Sequence, residues 1–220
     1  MASPAGPTVN LHHERFAATA RELLARDGRS PLEALFAFVQ ALPYRWPGPR
    51  DALHCLENGW GTCSGKNMLL YELLRAAGIP CAHTLIVGDL TVNPPAVPAT
   101  LRTILGEGPL PDVHAALTAL GPTGPVTVDA SWDLPLAALG FPVARNWDGS
   151  IDTPLAITPS AVYAVCGHDP VLEKELLRGR VFGGQPELLA RRDRYLHLLS
   201  TWIAEERAKG TGTKDSQSPP

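Results

Sequence analysis

The chain has 220 residues, a formal net charge of −3 and 45% hydrophobic residues, which suits one buried core and a single domain. The charge leaves no electrostatic footprint for nucleic acid, and no apolar run approaches a bilayer span, so no membrane partner is expected. The opening segment MASPAGPTVNLHHERF lacks the charged and apolar regions of a secretory signal. A cytoplasmic protein with reduced cysteines is therefore expected, and Cys55, Cys63, Cys81 and Cys166 form neither a C-x-x-C pair nor a disulfide frame.

Residues 1–9 are small and Pro-rich, and 210–220 hold almost nothing that could be buried; both are expected to be disordered, leaving a domain over 10–209. A first helix is expected from Leu11 to Asp27, stopped by Gly28. Ser30, Pro31 and Glu33 form a capping box for a second helix, whose apolar face is Leu32, Leu35, Phe36 and Val39 and which Pro43 ends. Tyr44 to Arg50 must be a loop, because its prolines and glycine leave no regular ladder. A short helix near Asp51 to Glu57 leads to the glycine turn NGWGTCSGK.

That turn feeds a helix starting near Cys63, with Met68, Leu69, Leu73 and Ala76 as its buried stripe and Gly78 and Pro80 as its stop. A central strand follows over Cys81 to Val87. Residues 91–111 hold five prolines and a short helix near Ala99 to Leu105; so long an excursion is expected to form a lid or wall over a site. Strands over Val113 to Leu120 and Pro125 to Ser131 are joined by GPTGP. Helices over Val171 to Arg178 and Pro186 to Lys209 close the chain. Helices, then sheet, then helices make the fold class α+β.

Cys63 is the best-placed nucleophile. The free N–H groups and dipole of a helix start favour a thiolate, Gly59 and Gly61 permit close backbone approach, and the Cys63 N–H can donate to an oxyanion. A cysteine packed under the turn is the competing interpretation. If Leu117 pairs with Val126, His114 lies directly opposite Asp129, in hydrogen-bonding reach. A carboxylate so placed orients the imidazole, the third role in a nucleophilic triad. Asp133 is an alternative orienting acid.

These segments together resemble the transglutaminase-like superfamily, with its papain-like fold, in the bacterial type. GWGTCSGKNMLLYELLRAAGIP resembles its cysteine motif, DVHAAL its histidine strand and VTVDASWD its aspartate strand. The resemblance spans about residues 40–133 and implies roles for Cys63, His114 and Asp129 as nucleophile, base and orienting acid. It implies acyl chemistry through a thioester, on a peptide, protein or small amide substrate, with no cofactor. Hydrolysis is expected over cross-linking, since no acceptor-amine or calcium site is visible. The chain departs from the pattern in having Ala115 and Ala116 where an aromatic residue often follows the histidine. A non-catalytic binding module that kept the fold is the rival class.

Tyr44, Trp46 and Asn58 are candidates for a second oxyanion donor, and Trp60 and Trp132 for the cleft wall; Trp132 would shield the imidazole–carboxylate pair or simply join the core. Glu57 reads as structural. Lys66 either lowers the thiol pKa or points to solvent or an acid. His54 with Cys55, or Cys81 with His83, lack a second close pair for a metal site, so no metal is expected. Arg191, Arg192 and Arg194 read as a solvated helix face near Glu205 and Glu206. Asn146 to Asp152 reads as an exposed Asx-rich turn or an edge of the cleft.

Overall fold

The helices that begin at Pro31, Ala52 and Cys63 carry at their starts the capping chemistry that their sequence supplies. In the computed structural model, which describes residues 7–92, 95–167 and 169–212, Ser30 caps α2 (Pro31–Ala41) by accepting the Glu33 N–H at 3.4 Å. Asp51 caps α3 (Ala52–Asn58), accepting the His54 N–H at 2.9 Å. Thr62 caps α4 (Cys63–Ala76) through the Gly65 N–H at 3.2 Å. These oxygens satisfy backbone donors that a helix leaves free at its start.

The first helix, α1 (Pro7–Arg26), begins earlier than expected and takes in 7–9. Proline suits a first helical turn, where its missing N–H costs nothing. The last helix, α7 (Pro186–Gly212), likewise runs through residues 210–212. The rest of both expected disordered ends lies outside the described residues.

Four strands form one antiparallel sheet in the order β3-β2-β1-β4 among the described residues: β1 (Cys81–Asp89), β2 (Pro111–Gly121), β3 (Gly124–Val128) and β4 (Pro159–Ala164). β4 was not expected. It is an edge strand, exposed along nearly its whole length, so it lacks the buried alternation by which a strand is usually read. The β2–β3 register also differs: Leu117 pairs with Val128, and Ala119 with Val126. A shift of two residues keeps every side chain on its expected face, but β3 ends at Val128 and Asp129 lies just beyond it, diagonal to His114.

The main core packs α1, α2 and α4 on the sheet through Phe16, Leu35, Phe36, Leu70, Leu73 and Leu117. A second cluster joins α5 (Ala99–Gly106) to α7 through Leu101, Ile104, Leu110, Tyr195 and Leu199. Within the long proline-rich segment, α5 is therefore a packed element, and Val92 and Pro95 contribute to the cleft wall.

The arginines of α7 are a solvated face only at Arg194, which is exposed. Arg192 is buried and pairs with Asp112 at 2.7 Å, Arg194 pairs with Glu107 at 3.0 Å, and Arg191 donates to the Gly108 carbonyl at 2.9 Å. Trp147, expected in an exposed turn or at the cleft edge, is buried against Phe36 with ring centroids 4.5 Å apart. Its Nε1 donates to the Ile151 carbonyl at 2.6 Å, while most of the rest of the segment is the expected exposed turn, in which Asp148 accepts from the Ser150 N–H at 2.9 Å. α6 (Pro170–Phe182) lies against β2 and β1 and lines the cleft. No helix among the described residues is long and apolar enough to cross a membrane.

Candidate active site

Two backbone approaches deliver Cys63 to its place. The Gly61 N–H donates to the Pro43 carbonyl at 3.2 Å, and the Arg45 N–H donates to the Gly61 carbonyl at 3.0 Å, tying the Tyr44 segment to the turn before α4. A Cβ at Gly61 would stand 2.6 Å from the Cys55 sulfur, and one at Gly65 would stand 2.3 Å from the Pro49 carbonyl oxygen. Only glycine fits there, and the start of α4 is pressed into the loop as a result.

Cys63, His114 and Asp129 come together. His114 Nε2 and Asp129 Oδ2 are 2.7 Å apart, with both side chains almost fully buried. The carboxylate accepts, so Nε2 carries the proton and Nδ1 is left for the Cys63 thiol; each of the two side chains shifts the pKa of the other. Asp129 is further held by the Ala156 N–H at 2.8 Å, the Ser131 hydroxyl at 2.5 Å, the Ser131 N–H at 3.0 Å and Asn67 Nδ2 at 3.0 Å. Asn67 stands four residues after Cys63, on the same face of α4. It also donates to the Ala115 carbonyl at 2.9 Å and accepts the Ala130 N–H at 3.0 Å, so it spaces α4 from the strand ends.

The charges follow from this geometry. Burial alone would raise the Asp129 pKa, but the His114 charge and hydrogen bond, with Ser131 and Asn67, hold it well below the usual carboxylate range. Burial would likewise depress His114, yet the Asp129 charge, and then the thiol, lift it to about 10. For Cys63 burial acts upward, and the His114 hydrogen bond, the Lys174 charge and the His114 charge outweigh it, lowering the thiol to about 7. A thiol so lowered ionises more readily near neutral pH than an unassisted one. Burial pushes Cys55 and Cys81 up to about 11.

The other candidates divide. Tyr44 is buried, lines the same cleft of about 480 Å³ as Cys63 and His114, and packs edge-on against Trp132 with centroids 4.6 Å apart. Burial, and then the Cys63 charge, hold its phenol well above its ordinary pKa, so it stays a donor. Trp46 and Trp132 also line the cleft. Asn58 does not: its Nδ2 is spent on the His54 carbonyl at 2.6 Å, on the exposed side of α3. Trp60 is also outside the cleft, packed on Gly48 and under the Arg45 guanidinium, 5.3 Å from its ring centre.

Asp133 has a different task from orienting His114. Its Oδ2 accepts the Tyr44 N–H at 2.7 Å and pairs with Arg207, so it pins the Tyr44 segment. Lys66 neither faces solvent nor acts on the thiol. It is fully buried and donates to the Ser131 carbonyl at 3.0 Å and the Gln40 carbonyl at 3.2 Å. Glu57 is exposed and pairs with Arg15. Among the described residues no group of three or more His, Cys, Asp or Glu side chains could hold a metal ion.

Sequence reasoning missed Asn67, Ser131, Asp112 and Lys174. Asn67 was legible from its i+4 spacing to Cys63, and Ser131 from its i+2 spacing to Asp129. Lys174 had no local signal, because 110 positions separate it from Ser64, whose Oγ it reaches at 2.7 Å.

Fold and site define a class: an α+β chain in which a thiol at a helix start faces a buried imidazole–carboxylate pair. No family model and no curated protein matches the chain. Among solved structures it is similar to "Putative Cysteine Protease from Cytophaga hutchinsonii" at 15% identity and a TM-score of 0.42, over 69% of this chain and 42% of that one. A second, "Putative Protease from Parabacteroides distasonis", is similar at 19% identity and a TM-score of 0.36, over 54% of this chain and 23% of that one. The chain thus spans less than half the length of either, and the functional interpretation below rests on the geometry of the site.

Proposed function

We propose that the protein is a cysteine-dependent acyl hydrolase of the transglutaminase-like, papain-like kind, which cleaves an amide or related acyl bond through a thioester on Cys63. The observation that carries this is the Asp129–His114–Cys63 chain, with its carboxylate–imidazole contact of 2.7 Å and its lowered thiol pKa.

The Cys63 thiolate attacks the carbonyl carbon, and the tetrahedral oxyanion is met by the Cys63 N–H at the start of α4 and by the Tyr44 hydroxyl. His114 gives its Nδ1 proton to the leaving amine as the C–N bond breaks, leaving a thioester. Water then attacks the thioester, His114 takes its proton, and the acid leaves as the thiolate and imidazolium are restored. Asp129 keeps the ring in one tautomer and offsets its charge throughout.

The test is cleavage of a mixed peptide pool, read by mass spectrometry, with brief acid quenching to trap the acyl-enzyme. Cleavage and an acyl adduct on Cys63 are expected for the wild type and neither for Cys63→Ser. Tyr44→Phe should lower kcat about a hundredfold while leaving alkylation of Cys63 unchanged. Adding a primary amine should leave the acid as the main product. Cleavage that persists in Cys63→Ser would remove the thioester route.

A further inference from the structure

The charged groups lining the cleft are mostly committed to one another, and one is not. Asp112 is engaged by Arg192 at 2.7 and 2.9 Å. Glu175 is engaged by Arg178 at 2.9 Å and Arg50 at 3.8 Å. Asp89 accepts from the Thr91 and Leu110 N–H groups at 2.8 and 2.9 Å. Lys174, reaching in from α6, donates to the neutral Ser64 hydroxyl at 2.7 Å, beside the nucleophile, and has no carboxylate within ion-pair distance among the described residues. Arg178 adds a buried Nε without a hydrogen-bond partner.

We propose that Lys174 is a specificity residue that receives a carboxylate carried by the substrate beside the scissile acyl group, so that the favoured substrates are acidic peptides or amides of dicarboxylic acids. This rests on Cys63 being the nucleophile. In the resting site Lys174 sits against Ser64, next to Cys63 in the chain, and the Cys63 thiolate and then Asp112 are the negative charges that favour its ammonium. Acylation consumes that thiolate, and an ammonium in a desolvated site is then left uncompensated, which is costly. A substrate carboxylate supplies the missing charge at the step where it is needed. The same cavity offers apolar walls, Met68, Leu85 and Val171, for the short carbon stem that would carry it.

The experiment uses two alkylating reagents that differ in one charge, iodoacetate and iodoacetamide, on the full chain. Both react with the same thiolate, so the ratio of their rates at Cys63 cancels any change in thiol pKa and needs no turnover. The His114 imidazolium acts on the ratio in every variant. In Lys174→Met the iodoacetate-to-iodoacetamide ratio should fall about tenfold, the scale of one unit charge a few ångströms away in a partly screened site. In Lys174→Arg most of it should remain. Peptide pairs that differ only in Glu or Gln beside the cleaved bond should show a matching Glu preference, lost in Lys174→Met.

An unchanged ratio in Lys174→Met overturns the proposal. So does a preference for Gln over Glu at every flanking position in the wild type. A ratio that falls as expected in a protein that cleaves no peptide leaves the anion site standing and removes the hydrolase instead.

Discussion

On one side of Cys63 stand α4 and the ends of β2 and β3, where Lys66, Asn67, His114, Asp129 and Ser131 are all buried and bonded to one another or to backbone. On the other side lies α6, in which Phe182 is the buried residue, Val171 lines the cleft, and Leu172 and Leu176 are exposed. Both sides reach the thiol and both lower its pKa. The first does so through a closed polar network, in which removing one member strands the others. The second does so with one long side chain on a weakly packed helix, which can be altered without disturbing the fold. On the function proposed above, chemistry belongs to the first wall and substrate choice to the second.

Breaking the closed wall should have the largest effect. Asn67→Ala leaves Asp129, the Ala115 carbonyl and the Ala130 N–H each short of a partner in a buried place, a loss of about 3–5 kcal/mol by urea unfolding. It should also slow Cys63 alkylation at neutral pH, since Asp129 loses one of its anchors.

Lys66 sharpens the comparison through pH. Burial lowers its pKa from 10.5 to about 8 in the folded protein, so between those values the unfolded chain binds the extra proton. Stability from this group therefore rises with pH across that window and is lost as pH falls through about 8. The unfolding free energy of the wild type relative to Lys66→Met should climb by about 2–3 kcal/mol from pH 8 to 10.5, measured by denaturant unfolding at each pH. A flat difference would mean that Lys66 is not the buried cation of the first wall.

The smallest effect is expected on the open wall. Leu172→Ser with Leu176→Ser should shift unfolding by no more than about 0.5 kcal/mol, because both side chains are already exposed. A large loss would show α6 to be as firmly built as α4.

Residues with local neighbours were the legible ones. The caps at Ser30 and the turn before Cys63 are short-range chemistry, and the spacing of His114 and Asp129 across a hairpin is nearly so. The hairpin register was off by two, and the site survived because an even shift preserves faces and Asp129 reaches diagonally. What stayed hidden depends on distant contacts. Lys66 is a lysine by type, but the Gln40 and Ser131 carbonyls that make its burial possible come from other elements. Arg192 looked solvated until Asp112, far away in the chain, came to meet it. β4 carries no buried alternation because its faces are open.

The central claim is that His114, held by Asp129, keeps Cys63 as a thiolate at neutral pH. The pH dependence of iodoacetamide labelling at Cys63, read by mass spectrometry, tests it most directly. The wild-type midpoint should lie near 7, against about 8.5 for a free thiol. His114→Ala should move it above 8, and Asp129→Asn should place it between the two, since the imidazole remains but is poorly oriented. Three superimposable curves near the free-thiol value, from proteins with native circular dichroism, would contradict the account.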